Sequence, residues 1–286
     1  MSEKEVFDLG QGHGSHMDCI IYDGERDEMI EMLPSMLETA RLTIAPGPEI
    51  PCSLGEGYPP RIQCAMLSDT DDMLHLNMLI GCNIDGERNE MMSFYPEVNG
   101  SAVRVTLTGI REWENGLQAT LEGTICGGGQ EIAFFDTRYI AHKGKYKIGQ
   151  SYDFHLSALA ERCEVLENPT FKMEGQDAVD FKAKMGEKPE YDENGNVKPL
   201  VFDMSEMVAF FQHWPAYPHT AEFQSPAVSV SVIEAWGREY FSIGIAIAHD
   251  DNDNGICIPL IAKKTFFGKP LRPHTPIRGI LYLFGY

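Results

Sequence analysis

SAVRVTLTGIREWENG, residues 101–116, alternates side chains in the two-residue period of a half-buried strand and then turns. Val103, Val105 and Leu107 fall on one face. Glu114-Asn115-Gly116 supplies a turn, because Asn-Gly accepts the positive φ that tight turns need, and Leu117, Ala119, Leu121 and Ile125 resume the apolar face. The glycine run 127–129 predicts a second turn into IAFF, 132–135. Beyond Lys143-Gly144-Lys145, Tyr152, Phe154 and Leu156 predict a further strand.

The same grammar returns in PAVSVSVIEAWGREYF, residues 226–241, where Ala-Val again opens an alternating run that meets a tryptophan at a turn. Trp113 in the first stretch corresponds to Trp236 in the second. Ile243, Ile245 and Ile247, then Ile256, Ile258 and Leu260, predict the next two strands, and 275–286 loosely parallels 146–156. This pattern predicts a tandem duplication of a small antiparallel unit. Five short strands with a glycine-containing first hairpin resemble an OB-like barrel at the level of fold. No family motif accompanies the resemblance, so it implies no function. The expected fold is therefore mainly β with a few helices, a β-rich α+β chain. Residues 1–98 form an acidic, Met-rich α+β region, and 99–190 and 191–286 form two tandem OB-like units, with a β-sandwich as the alternative.

Helical spacing of Met29, Ile30, Leu33, Met36, Leu37 and Ala40 predicts a helix within 24–42 that Pro34 kinks or divides. DGERDEM (23–29) and DGERNEM (85–91) read as turns entering helices. Asp203 and Glu206 have capping-box spacing and predict a short helix through about Phe211. Gly14-Ser15-His16-Met17 matches the remnant of a cloning site, which places an expected native start near Met17.

The net charge is −20, and residues 1–100 hold 19 acidic against 5 basic residues, so −14 of it lies there. The same stretch carries ten of the fourteen methionines. A phosphate backbone or an anionic bilayer would be repelled and basic proteins attracted, so neither nucleic acid nor membrane is expected as a partner. Seven scattered cysteines without a CxxC, and no apolar run of spanning length, point to reduced thiols and a cytoplasmic location.

HDDNDNG, 249–255, begins like an EF-hand loop with Asp250, Asn252 and Asn254. The twelfth position counted from Asp250 is Ile261, not glutamate, and both flanks alternate like strands. It reads as a hairpin turn with Gly255 at positive φ, and calcium as a weak ligand. His13, His16 and Cys19 stand three apart, a spacing that can ligate zinc. His213, Trp214, Tyr217 and His219 form an aromatic loop suited to a small molecule or carbohydrate, and with Glu222 to a metal-dependent hydrolase. Asp136 and Arg138 read as a local ion pair or turn contact. No Walker loop, GxSxG, HExxH or GxGxxG is present. The favoured expectation is a non-catalytic inhibitor, adaptor or immunity-type protein without a cofactor, meeting a basic protein through Asp23, Glu25, Asp27, Glu28 and Glu31.

Overall fold

A computed structural model describes residues 13–22, 26–51, 60–82, 89–212 and 217–286. The chain is mainly β. After a short 3-10 turn (Met17–Cys19) come α1 (Arg26–Thr39), β1 (Arg41–Ile44), β2 (Ile50–Pro51), β3 (Arg61–Ser68), β4 (Leu74–Cys82) and β5 (Asn89–Val98). These strands make an antiparallel sheet in the order β1-β3-β4-β5, with β2 also on β3. Met17, Met29, Met36, Met66 and Met78 are all buried in its core. Unbranched thioether side chains suit an irregular seam between a helix and a sheet.

The body starts with β6 (Ser101–Glu112), β7 (Ala119–Ile125), β8 (Glu131–Asp136), α2 (Tyr139–His142) and β9 (Ser151–Val165). An insertion of β10 (Thr170–Met173), α3 (Gly175–Lys184), β11 (Leu200–Asp203) and β12 (Ala209–Phe211) follows. Then come β13 (Thr220–Ala235), β14 (Arg238–His249), β15 (Gly255–Lys263) and β16 (Pro276–Gly285). Residues 101–125 behave as their alternation requires: Val103, Val105, Leu107, Leu117, Ala119, Leu121 and Ile125 are all buried, and Gly116 takes φ 71° in the turn.

Pairing closes two rings that share strands. One runs β6-β7-β8-β16-β9 and returns to β6; the other runs β13-β14-β15-β9-β16 and returns to β13. Each ring thus takes three strands from its own half of the chain and uses both long strands β9 and β16. In both, the third strand meets the borrowed one in parallel, Phe135 opposite Phe284 and Leu260 opposite Ala158. The two strand sets have the same connectivity, and they are closed rings rather than stacked open sheets. One apolar cluster fills both interiors, with Val105, Phe134 and Phe154 at one side and Ile243, Ile245 and Leu260 at the other.

Close approach of the shared strands fixes one glycine. A Cβ on Gly279 would stand 2.1 Å from the Arg162 carbonyl oxygen, beside the register shift at Ile280 and Leu281. The obstacle is backbone, so it cannot rotate away. Gly279→Ala is expected to destabilise the chain by about 1–3 kcal/mol, read from urea unfolding, whereas Gly268→Ala, in open space, should be near neutral.

Several expectations are corrected. Residues 203–211 form no helix, because Asp203 Oδ1 accepts the Ser205 N–H at 2.9 Å and closes a turn. The flanking residues are already held as β11 on β10 and β12 on β13. Asn89, in the second DGER segment, enters strand β5 rather than a helix. Pro34 begins no second helix, because α1 continues past it as one element to Thr39. It lies on the exposed face, where water can meet the carbonyl that lost its partner. In the 249–255 hairpin the positive φ belongs to Asp253 (65°), not Gly255.

Candidate functional site

His13, His16 and His219 converge although 203 residues separate the last two. Their Nε2 atoms form a nearly equilateral triangle, 3.1 Å from His13 to His219, 3.1 Å from His16 to His13 and 3.2 Å from His219 to His16. Ligand nitrogens about 2.0–2.1 Å from a tetrahedral zinc stand about 3.3–3.4 Å apart, so the triangle has the size of one face of such a site.

Each ring is positioned by the fold. His219 directly precedes β13, and its carbonyl accepts the Leu283 N–H at 2.8 Å, which extends the β13–β16 ladder and fixes the backbone. His13 stacks on Phe135 of β8 at 3.5 Å between ring centroids and meets the edge of Trp113. Its N–H donates to Gln118 Oε1, which also accepts from Asn115 Nδ2. The hairpin legible in residues 101–125 therefore also seats a histidine. His16 lies 4.0 Å from the Tyr282 ring of β16, at φ 50°. The site stands where β8 meets β16, at the seam of the two rings.

Burial makes the three imidazoles good ligands. Desolvation holds His13 and His219 well below the usual histidine range, with the neighbouring histidines adding to the effect, and brings His16 down to about 4. All three are neutral near pH 7, as ligation requires. The Nδ1 atom of His219 is buried and makes no hydrogen bond among the described residues. Three mutually facing imidazoles cannot all satisfy one another, because an Nε2–H donates to only one neighbour. An ion at the centre of that face would engage all three lone pairs. Neutral nitrogen donors suit Zn2+ or a neighbouring divalent transition metal rather than Ca2+ or Mg2+.

The predicted zinc trio of His13, His16 and Cys19 is corrected. Cys19 lies inside the 3-10 turn with its thiol buried in the core, where desolvation pushes its pKa up and keeps it protonated. The local HGSH spacing singles out two of the three converging histidines, whereas His219 groups by sequence with the 213–222 loop. Glu222 is exposed on β13, three residues from His219. His213 and Trp214 lie outside the described residues, and Tyr217 is exposed beside His219, with 6.2 Å between their rings. Asp23 and Glu25 also lie outside them. Asp27, Glu28 and Glu31 are exposed on α1, and Glu28 bonds Arg238 at 3.2 Å. In the hairpin loop, Asp250 accepts the N–H groups of Asn252 and Asn254 and the side-chain amide of Asn254, so its oxygens are turned to its own turn. The six described cysteines are free thiols, and among the described residues no helix is long and apolar enough to cross a membrane.

A second buried polar centre joins the N-terminal sheet to the first ring. Glu97 of β5 is 1% exposed and accepts from Arg138 NH2 at 2.5 Å, from Arg138 Nε at 3.2 Å and from the Thr137 hydroxyl, with His75 Nε2 at 3.2 Å. Arg138 thus pairs with Glu97 rather than with Asp136. Asp136 accepts the Arg138 N–H and the Tyr146 hydroxyl, the turn contact its spacing suggested, and burial pushes it up to about 7. The chain matches no protein-family model, no curated protein and no solved structure.

Proposed function

We propose that this chain is a metal-binding protein that holds one divalent transition-metal ion, zinc by donor chemistry, at His13, His16 and His219. The observation that carries this reading is the triangle of buried Nε2 atoms at 3.1–3.2 Å. The ligands come from the segment before the first 3-10 turn and from the residue before β13, so the bound ion would fasten that segment to the ring body. Competition titration of the metal-stripped chain against a chromophoric zinc chelator is expected to show one tight site per chain, lost in His13→Ala. A wild-type chain that takes no zinc from the chelator would overturn the reading.

A second reading rests on the exposed carboxylates of α1. Asp27 and Glu31 are solvent-facing, in the third of the sequence that carries most of the negative charge, and suit a basic protein partner of an inhibitor or adaptor. Its association should weaken steeply between about 50 and 300 mM salt and slow on Asp27→Lys with Glu31→Lys. Salt-insensitive association would remove this reading and leave the metal site untouched.

A further inference from the structure

The ten residues 13–22 run as a strap across the seam of the two rings, and its two ends are held by different means. At the far end the holding is ordinary protein chemistry. Tyr240 donates its hydroxyl to the Ile20 carbonyl at 2.8 Å, and Lys263 Nζ donates to the carbonyls of Asp18 and Ile21, both at 2.9 Å. The Tyr22 hydroxyl donates to the Glu239 carbonyl and accepts the Lys264 N–H. At the near end, among the described residues, the hydrogen bonding to the ring body is that of the His13 backbone N–H to Gln118 and the histidine triangle itself.

That near end is unfavourable on its own terms. His16 sits in the left-handed region at φ 50°, a conformation that is unfavourable for a non-glycine residue. The three facing Nε2 atoms cannot all pair with one another, which leaves buried hydrogen-bonding capacity unmet there. The Met17–Cys19 turn has three residues, too few to hold a helical conformation by itself. A coordinated ion reverses this balance, since metal–ligand bonding contributes folding free energy directly.

Building on the metal site proposed above, we infer that the ion is a latch for this strap. With it bound, residues 13–16 stay seated on Phe135, Tyr282 and Phe284; without it they lift while residues 17–22, anchored by the buried Met17 and Cys19 and by the carbonyls of Asp18, Ile20 and Ile21, remain in place, uncovering that aromatic floor. His13 covers Phe135 and His16 covers Tyr282, so the floor becomes accessible through loss of the two residues that hold the ion. The metal thereby controls whether an apolar surface at the ring seam is covered, which is a metal-responsive switch in the fold.

Hydrogen–deuterium exchange of the full chain, stripped of metal and then reloaded with Zn2+, tests the latch, with bound zinc counted on the same samples. Zinc is expected to slow exchange of residues 14–17 by at least about tenfold and to leave β6 and β14 unchanged. His16→Gly, which accepts the positive φ but removes a ligand, should exchange fast with or without zinc. Lys263→Met should keep zinc and its protection of 14–17 while loosening 18–22. One zinc per chain with unchanged exchange at 14–17 overturns the latch and spares the site, whereas no bound zinc overturns both.

Discussion

Glu97→Ala is expected to destabilise the chain by about 3–5 kcal/mol, the cost of removing one partner from a buried, hydrogen-bonded ion pair. The carboxylate takes hydrogen bonds from Arg138 and Thr137 and pairs with His75, and His75 Nδ1 is itself fixed by the Asp72 carbonyl at 2.9 Å. Without Glu97, the Arg138 guanidinium, which lies 3.8 Å from the centroid of the Tyr286 ring, would lose the charge that holds it there. The N-terminal sheet would lose its main polar tie to the turn after β8. Glu97→Gln should cost less, because one oxygen remains to accept.

The penalty should depend on pH in a defined direction. Burial alone would raise the Glu97 pKa, but the bonds from His75 and Arg138 outweigh it and hold the carboxyl below its usual value. Its stabilisation is present above about pH 4.5 and lost as pH falls through the folded-state value. Burial would lower His75, but the bond and charge of Glu97 outweigh that and raise it above 6.5. Its stabilisation is present below that pH and lost as pH rises through its folded-state value. The difference between wild type and Glu97→Ala should therefore peak between about pH 4.5 and 6.5. Asp136 titrates in both proteins and largely cancels, although Glu97 contributes to its rise. Urea unfolding at pH 3.5, 5.5 and 8.5 measures this, and a cost below about 1 kcal/mol at every pH would contradict the assigned network.

The second large effect concerns His219. Zinc at a hundredfold excess over its dissociation constant should stabilise the wild-type chain by about 2.7 kcal/mol, seen as a rise of about 5 °C in Tm. His219→Ala should abolish the rise. The same substitution in the metal-free chain also empties a fully buried position, so its basal Tm should fall. The separation of the two effects is the informative part: a variant that keeps the zinc-induced rise would place the ion elsewhere, whatever its basal stability.

The strand pattern was legible because it is local. Val103, Val105 and Leu107 announce a face by period alone, and Asn115-Gly116 announces the turn. Ring closure was not legible in the same way. Each borrowed strand enters through a parallel contact of two residue pairs, Phe284–Gly285 with Phe135–Asp136 and Leu260–Ile261 with Ala158–Leu159, and no turn chemistry marks either. The capping-box reading at Asp203 failed because the same carboxylate closes a two-residue turn equally well, and pairing with β10 and β13 decided between them.

Two of the three proposed ligands could be singled out from spacing, His13 and His16. Cys19 shares that spacing, but in the folded chain it turns inward with Met17 and Ile20. The third histidine of the triangle lies 203 residues from His16, brought there by the ladder that joins the start of β13 to β16. Gly14-Ser15-His16-Met17, which reads like a cloning remnant, is built into the fold, with Met17 5% exposed in the core.

X-ray absorption at the zinc edge of the metal-loaded chain tests the central claim most directly. The account predicts a first shell of nitrogen or oxygen at about 2.0–2.1 Å with the outer-shell scattering of three imidazoles. A sulfur shell near about 2.3 Å, or fewer than three imidazoles, would contradict it.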